Sequence, residues 1–139
     1  MPDTRTGGHY ENIIEIGLKN GGLVYAQQQL VGEKPDGGRH KVDFVAWKPG
    51  EPGRKILVSC KVQNMGGSAE EKLPYEIIKL LHTMNKQPEY VAAFLILGGM
   101  GWSRGIQNFI KVRLKEFVIG ADRVTVYTTD EMITGGFLF

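Results

Sequence analysis

Residues 39–63 read RHKVDFVAWKPGEPGRKILVSCKVQ. His40 to Trp47 alternates, with Val42, Phe44 and Ala46 opposite Asp43 and Val45, and this period of two predicts a strand. Pro49 to Gly53 is a turn. Lys55 to Val62 is the next strand. Strands joined by so short a turn lie side by side, ~4.8 Å apart. Asp43 is unusual in a run of Val, Phe and Ala, because strands are depleted in aspartate. Lys61 lies near the end of the second strand, with Gln63 two residues on. A carboxylate and an ammonium group on neighbouring strands meet if their registers match.

Working outward, His9 to Lys19 predicts a helix, since Tyr10, Ile13, Ile14, Gly17 and Leu18 recur at helical spacing before Asn20-Gly21-Gly22. Leu23 to Val31 predicts a strand, and Gly32 to Gly38 a loop. After the loop at 64–67, Ser68 and Glu71 have the spacing of a capping box. The helix that follows carries Leu73, Ile77, Leu80, Leu81 and Met84 on one face, with Pro74 separating or kinking its first turn. Tyr90 to Leu97 is a continuously apolar run typical of a central strand. Gly98 to Gly101 is a loop, Arg104 to Val118 a second long amphipathic helix, and Val124 to Tyr127 a short last strand. Three sequential strands form a meander, and the later strand–helix–strand unit implies a parallel crossover. The fold class is therefore α/β: a mixed central sheet flanked by helices, in one domain over 1–139.

The composition excludes several alternatives. At 42% hydrophobic and 23% charged residues, the 139-residue chain builds a core without staples. One cysteine, Cys60, makes no internal disulfide, and it alternates away from Ser59 and Lys61 towards the core. No apolar run approaches ~20 residues, and the polar start, Met1 to Gly8, lacks an h-region, so the expected location is cytoplasmic with no membrane span. The net charge of +2 permits an anionic partner without demanding one. His9, His40 and His82 show no metal-ligand spacing, and the glycines at 98, 99 and 101 form neither a dinucleotide fingerprint nor a P-loop.

Asp43, Lys61 and a helical Glu11 suit phosphodiester hydrolysis. Carboxylates bind Mg²⁺ through oxygen. The ion stabilises charge on the scissile phosphate and acidifies a bound water. A lysine beside it orients that water or neutralises developing charge. The pattern resembles the PD-(D/E)xK nuclease superfamily, which includes restriction enzymes, Holliday-junction resolvases and some homing endonucleases. Its helix, three strands, helix and strand match the order read above over essentially the whole chain. The resemblance implies a Mg²⁺-dependent DNA endonuclease, with Mn²⁺ able to substitute. Asp43 in RHKVDFVA matches the metal-binding aspartate, Lys61 in ILVSCKVQ the catalytic lysine, Glu11 in GGHYENII the glutamate of resolvase-like branches, and Gln63 a glutamine often found after the lysine.

One departure matters. The family expects an acid two places before the lysine, and Ser59 stands there. Three explanations are open. The acid has moved to the following helix, as in one restriction-enzyme branch, with Glu76 as candidate ligand and Glu71 and Glu70 behind it. Alternatively, Glu11, Asp43 and the Val62 or Ser59 carbonyl suffice for one metal. Otherwise the protein is an inactive DNA-binding module on the same fold. Ordinary roles compete too: a solvent-facing Asp43, an edge-strand Lys61, a Gln63 that satisfies a strand end. For DNA contact, Arg39, His40 and Lys41 cluster before Asp43, while Arg104, Asn108, Lys111 and Lys115 line one helix face. The aromatic tail, Met132 to Phe139, is expected to pack on the domain or on a partner, and two cuts per duplex would suit a homodimer.

Overall fold

The computed structural model describes residues 4–139, and side chains from residue 8; residues 1–3 of the polar start lie outside it. Five strands form one sheet in the order β1-β2-β3-β4-β5. They are β1 (Val24–Glu33), β2 (Arg39–Trp47), β3 (Lys55–Val62), β4 (Tyr90–Gly98) and β5 (Val124–Thr128). The first three are antiparallel neighbours, whereas β4 and β5 run parallel to β3. Helix α1 (Thr4–Asn20) and a short α4 (Thr129–Gly135) bracket the chain, and α2 (Leu73–Lys86) connects β3 to β4. The mixed sheet with helices on both faces is the expected α/β architecture. No helix among the described residues is long and apolar enough to cross a membrane.

Each sheet face buries its own core. Ile14 and Leu18 of α1 pack with Met132 of α4 on Phe44, Ala46, Ile56, Val58, Phe94 and Ile96. On the other face, Leu73, Ile77, Leu80, Leu81 and Met84 of α2 cover Val42, Val45, Leu57, Leu95 and Leu97. Lys61 lies on β3, the middle strand of the five, and not on an outer strand of the sheet.

Several local readings are corrected. Strand β1 continues through Gly32, whose φ of +119° accommodates a bulge between Leu30 and Glu33. Ser68 makes no cap: Ser68–Lys72 is a separate 3₁₀ turn behind Gly67, without a side-chain cap bond, and Pro74 opens α2 proper. The long helix over 104–118 is broken. Residues Arg104–Asn108 form α3, Phe109–Arg113 a π turn and Leu114–Glu116 a 3₁₀ turn. Apolar spacing fixed the buried face, Ile110 and Leu114 included. It does not specify the hydrogen-bond step, and a wide turn keeps that face inward. The tail folds back on the domain: Phe137 meets the Phe94 ring edge-on at 5.0 Å, and Lys48 reaches the Phe139 carbonyl at 3.0 Å.

His40 is also corrected. It is 1% exposed and its Nδ1 lies 2.7 Å from Thr83 Oγ1 on α2, so it holds helix to sheet and reaches no phosphate. Burial, helped by the Lys79 charge, pushes its pKa down to about 4. The unfolded chain therefore takes up this proton near pH 6.5, before the folded one does. Stability from neutral His40 is complete above pH 6.5 and lost as pH falls towards 4, at up to about 1.4 kcal/mol per pH unit. Urea unfolding over this range is expected to show a shallower pH slope for His40→Gln than for wild type; equal slopes contradict it.

Candidate active site

The strict alternation expected of β2 fails at Asp43. Val42 and Val45 face α2, whereas Phe44 and Ala46 face α1. The β1–β2 ladder pairs Gln27 with Phe44 and Gln29 with Val42, and leaves Gln28 and Asp43 between them unregistered. The β2–β3 ladder runs from Trp47↔Lys55 to Phe44↔Val58 and stops. Beyond it β3 stays paired with β4 as far as Val62, while β2 stays with β1. The sheet forks at this point.

A fork leaves backbone amides without partners, and a buried orphan amide is costly. The Asp43 carboxylate takes the place of the missing strand: its Oδ2 accepts the Cys60 N–H at 2.7 Å. A strand amide points in the plane of the sheet, so this carboxylate lies in the seam rather than over one face. There it lies close enough to Lys61 for the ammonium to favour its charged form. Burial nevertheless dominates and raises the Asp43 pKa. Glu11, on α1, is raised by burial and then by the Asp43 charge. Gln28 spans the two, its Nε2 donating to Glu11 Oε1 at 2.9 Å and to Asp43 Oδ1 at 3.5 Å. Cys60 faces α1, with its thiol pushed up to about 12 by burial and by the Asp43 and Glu11 charges, so it is no nucleophile.

On the α2 side the arrangement is cationic. Ser59 is buried and donates to Glu76 Oε1 at 2.9 Å. The other oxygen of Glu76 lies 3.6 Å from Lys61 Nζ and 2.7 Å from Lys79 Nζ. Burial raises the Glu76 pKa, but Lys61, Lys79 and Ser59 outweigh it and hold the carboxyl below its usual value. A helix acid thus stands beside the serine that replaces the strand acid. Its charge is felt at Asp43, yet among the described residues it makes no close group of three with Asp43 and Glu11, and both its oxygens are engaged, one by a hydroxyl and the other by two ammonium groups. A cavity of about 520 Å³ opens here, with Lys61, Lys72 and Lys79 on its wall beside Glu71, Tyr75 and Trp102.

The remaining candidates separate. Gln63 is 8% exposed and works as a clamp. Its Nε2 donates to the Gly101 carbonyl, its own carbonyl accepts the Gly101 N–H and its N–H donates to Gly98. A Cβ at Gly99 would stand 2.5 Å from the Gln63 oxygen and one at Gly101 2.6 Å from the Met65 nitrogen, so both glycines are required. Gln63 therefore faces the loop and not the seam. Glu70 is taken by Ser103, accepting its N–H and hydroxyl. Lys111 is paired with Glu131 of α4 at 2.6 Å. The π turn breaks the expected stripe, leaving Arg104 and Lys115 exposed apart from it. Arg39 and Lys41 are exposed beyond the fork, and the Lys41 charge is felt at Glu11. Sequence reasoning missed Gln28 and Lys79. The i,i+3 spacing of Glu76 and Lys79 was a usable signal; nothing in the sequence flagged Gln28.

The PD-(D/E)XK nuclease superfamily domain matches residues 4–136. The chain belongs to that superfamily. No curated protein matches the sequence significantly. Members of a nuclease superfamily hydrolyse phosphodiesters, commonly with divalent cations, so the donor set of this nuclease can be tested against such an ion. Among the described residues no three His, Cys, Asp or Glu side chains gather closely enough to hold a metal. That rules against an all-protein cage of the kind zinc takes. Two partly buried carboxylates spanned by one amide do fit Mg²⁺, which keeps several waters and takes one or two carboxylates.

The buried Glu76 gives a direct test of the cationic side. Lys79→Met leaves it with Ser59 and the exposed Lys61, and is expected to cost about 1–3 kcal/mol in urea unfolding. Combined with Glu76→Gln, which removes the charge, the loss should be smaller than the sum of the two single changes. Additive losses contradict the pairing.

Proposed function

We propose that this chain is a Mg²⁺-dependent endonuclease that hydrolyses DNA phosphodiester bonds, a single cytoplasmic nuclease domain with Mn²⁺ as an alternative ion. The observation that carries the reading is the seam: Asp43, tethered to the Cys60 amide, faces Glu11 on one side and the Lys61 charge on the other. Carboxylates and an ammonium group held together, with a cationic cavity alongside, are what in-line attack on a phosphate needs.

Each residue then has a part. Glu11 and Asp43 hold the ion. When bound, it supplies Lewis-acid stabilisation of the phosphate and lowers the pKa of a coordinated water. Lys61 orients the attacking water and offsets charge developing on the phosphate oxygens. Glu76 positions Lys61 through their ion pair at 3.6 Å. Lys72 and Lys79 attract the strand through its phosphates, as do Arg39, Lys41, Arg104 and Lys115, a sequence-blind and salt-sensitive contribution. Gln63 acts from behind, by fixing the loop after β4 against the end of β3. A homodimer would supply the second cut of a duplex.

Plasmid nicking tests this. With Mg²⁺ the wild type is expected to nick supercoiled DNA, and Asp43→Asn or Lys61→Gln to lose roughly 100-fold or more in rate, both variants remaining folded by circular dichroism at the assay temperature. Salt-sensitive DNA retention without any cleavage would favour the inactive binding module that Ser59 suggests. Cleavage confined to RNA, or no affinity for DNA at low salt, would overturn the assignment to DNA.

A further inference from the structure

Gln28 is the one non-glycine among the described residues with a positive φ, +53°. Nothing about glutamine favours that conformation, which Asn, Asp and Gly adopt more readily. Its consequence is visible in the neighbours. Gln27 already faces α1, where its Nε2 donates to Glu15 at 3.0 Å. Ordinary alternation would turn Gln28 to the other face. The positive φ turns it back, so that its amide stands between Glu11 and Asp43. Strained backbone of this kind gathers at ligand clamps.

We propose that Gln28 is a metal ligand: its amide turns over when a divalent cation binds and presents Oε1 to the ion shared by Glu11 and Asp43. The inference rests on the metal-dependent reading above. A terminal amide has two ends of nearly equal shape, a donor –NH₂ and an acceptor oxygen, and its last torsion is a broad two-fold rotor. With no cation the –NH₂ end satisfies two neighbouring carboxylates. With a cation between them the same position calls for oxygen, and Gln carbonyls are accepted ligands of hard cations. Only a side-chain rotation separates the two states.

The same step accounts for the substitution at Ser59. The strand acid that would have supplied the third oxygen is absent, and its replacement on α2, Glu76, is committed to Lys61, Lys79 and Ser59. Gln28 brings an oxygen donor to the seam from β1 instead. A residue that merely filled the space would behave oppositely, since its removal would free both carboxylates and tighten the ion.

That opposition sets the test, a calorimetric titration of the full chain with Mn²⁺ alone. Gln28→Leu is expected to weaken Mn²⁺ on the order of tenfold or more, and Gln28→Glu to bind at least as tightly as wild type. Gln28→Asn, which tolerates the positive φ but withdraws the amide by one carbon, should weaken it too and serves if the leucine variant does not fold. Unchanged or tighter binding by Gln28→Leu or Gln28→Asn, with Asp43→Asn abolishing it, overturns the ligand role and leaves the metal reading standing. A wild type that binds no Mn²⁺ overturns both.

Discussion

The Cys60 amide is where the chain's architecture and its chemistry meet. As β2 parts from β3 beyond Phe44↔Val58, an N–H that a neighbouring strand would ordinarily satisfy is left facing the gap. A side chain must satisfy it, and Asp43 does so at 2.7 Å. The hydrogen bond fixes the carboxylate in the plane of the sheet and within reach of both faces. Had the ladder run on regularly past Phe44↔Val58, Asp43 would lie opposite Ser59 on the α2 face, turned away from Glu11 on α1; the fork lets its carboxylate meet both Glu11 and the Lys61 charge. At the same level β1 is irregular too, where Gln28 leaves the regular conformation opposite Asp43.

The site that results is polarised across β3. Acid groups from α1 and β2 gather on one side, Glu11 with Asp43. On the other, Lys61 and Lys79 hold a carboxylate from α2, with Lys72 on the wall of the same cavity. Ser59 belongs to this second side. It is a small hydroxyl that donates to Glu76, and so lets a helix residue occupy space that a strand acid would fill. The exchange changes what the acid does. At the end of the strand a carboxylate would look towards Asp43, whereas on α2 it is drawn between Lys61 and Lys79. Activity, if it follows the proposed course, then depends on fewer carboxylates around the ion and a more firmly held lysine.

Much of this was legible from periodicity. The three strands around Asp43 and Lys61, the buried face of α2 and the apolar run of β4 follow from spacing alone, because a one-residue slip would expose a core face. Asp43 stood out as a charge in an apolar strand, Lys61 by its place near the end of the next, Glu11 through the family resemblance, and Glu76 as an acid on the margin of a buried face. What escaped depended on tertiary context. Ser68-x-x-Glu71 and Thr128-x-x-Glu131 carry the same capping pattern. Only the second forms the box, with Thr128 and Glu131 satisfying each other at the start of α4; near the first, Glu70 is drawn to Ser103 on another element. Gln63 resembled a site residue by spacing and proved a loop clamp, since two glycines far along the chain bring backbone to its carbonyl. The strict alternation of β2 hid the break at Asp43, because a bulge needs two strands and one sequence displays them separately.

The location of a bound divalent ion tests the seam most directly. Anomalous scattering from crystals soaked in Mn²⁺ is expected to give a peak shared by the Glu11 and Asp43 carboxylates at the mouth of the β2–β3 fork. A peak elsewhere on the domain, or none at saturating Mn²⁺, would contradict the account.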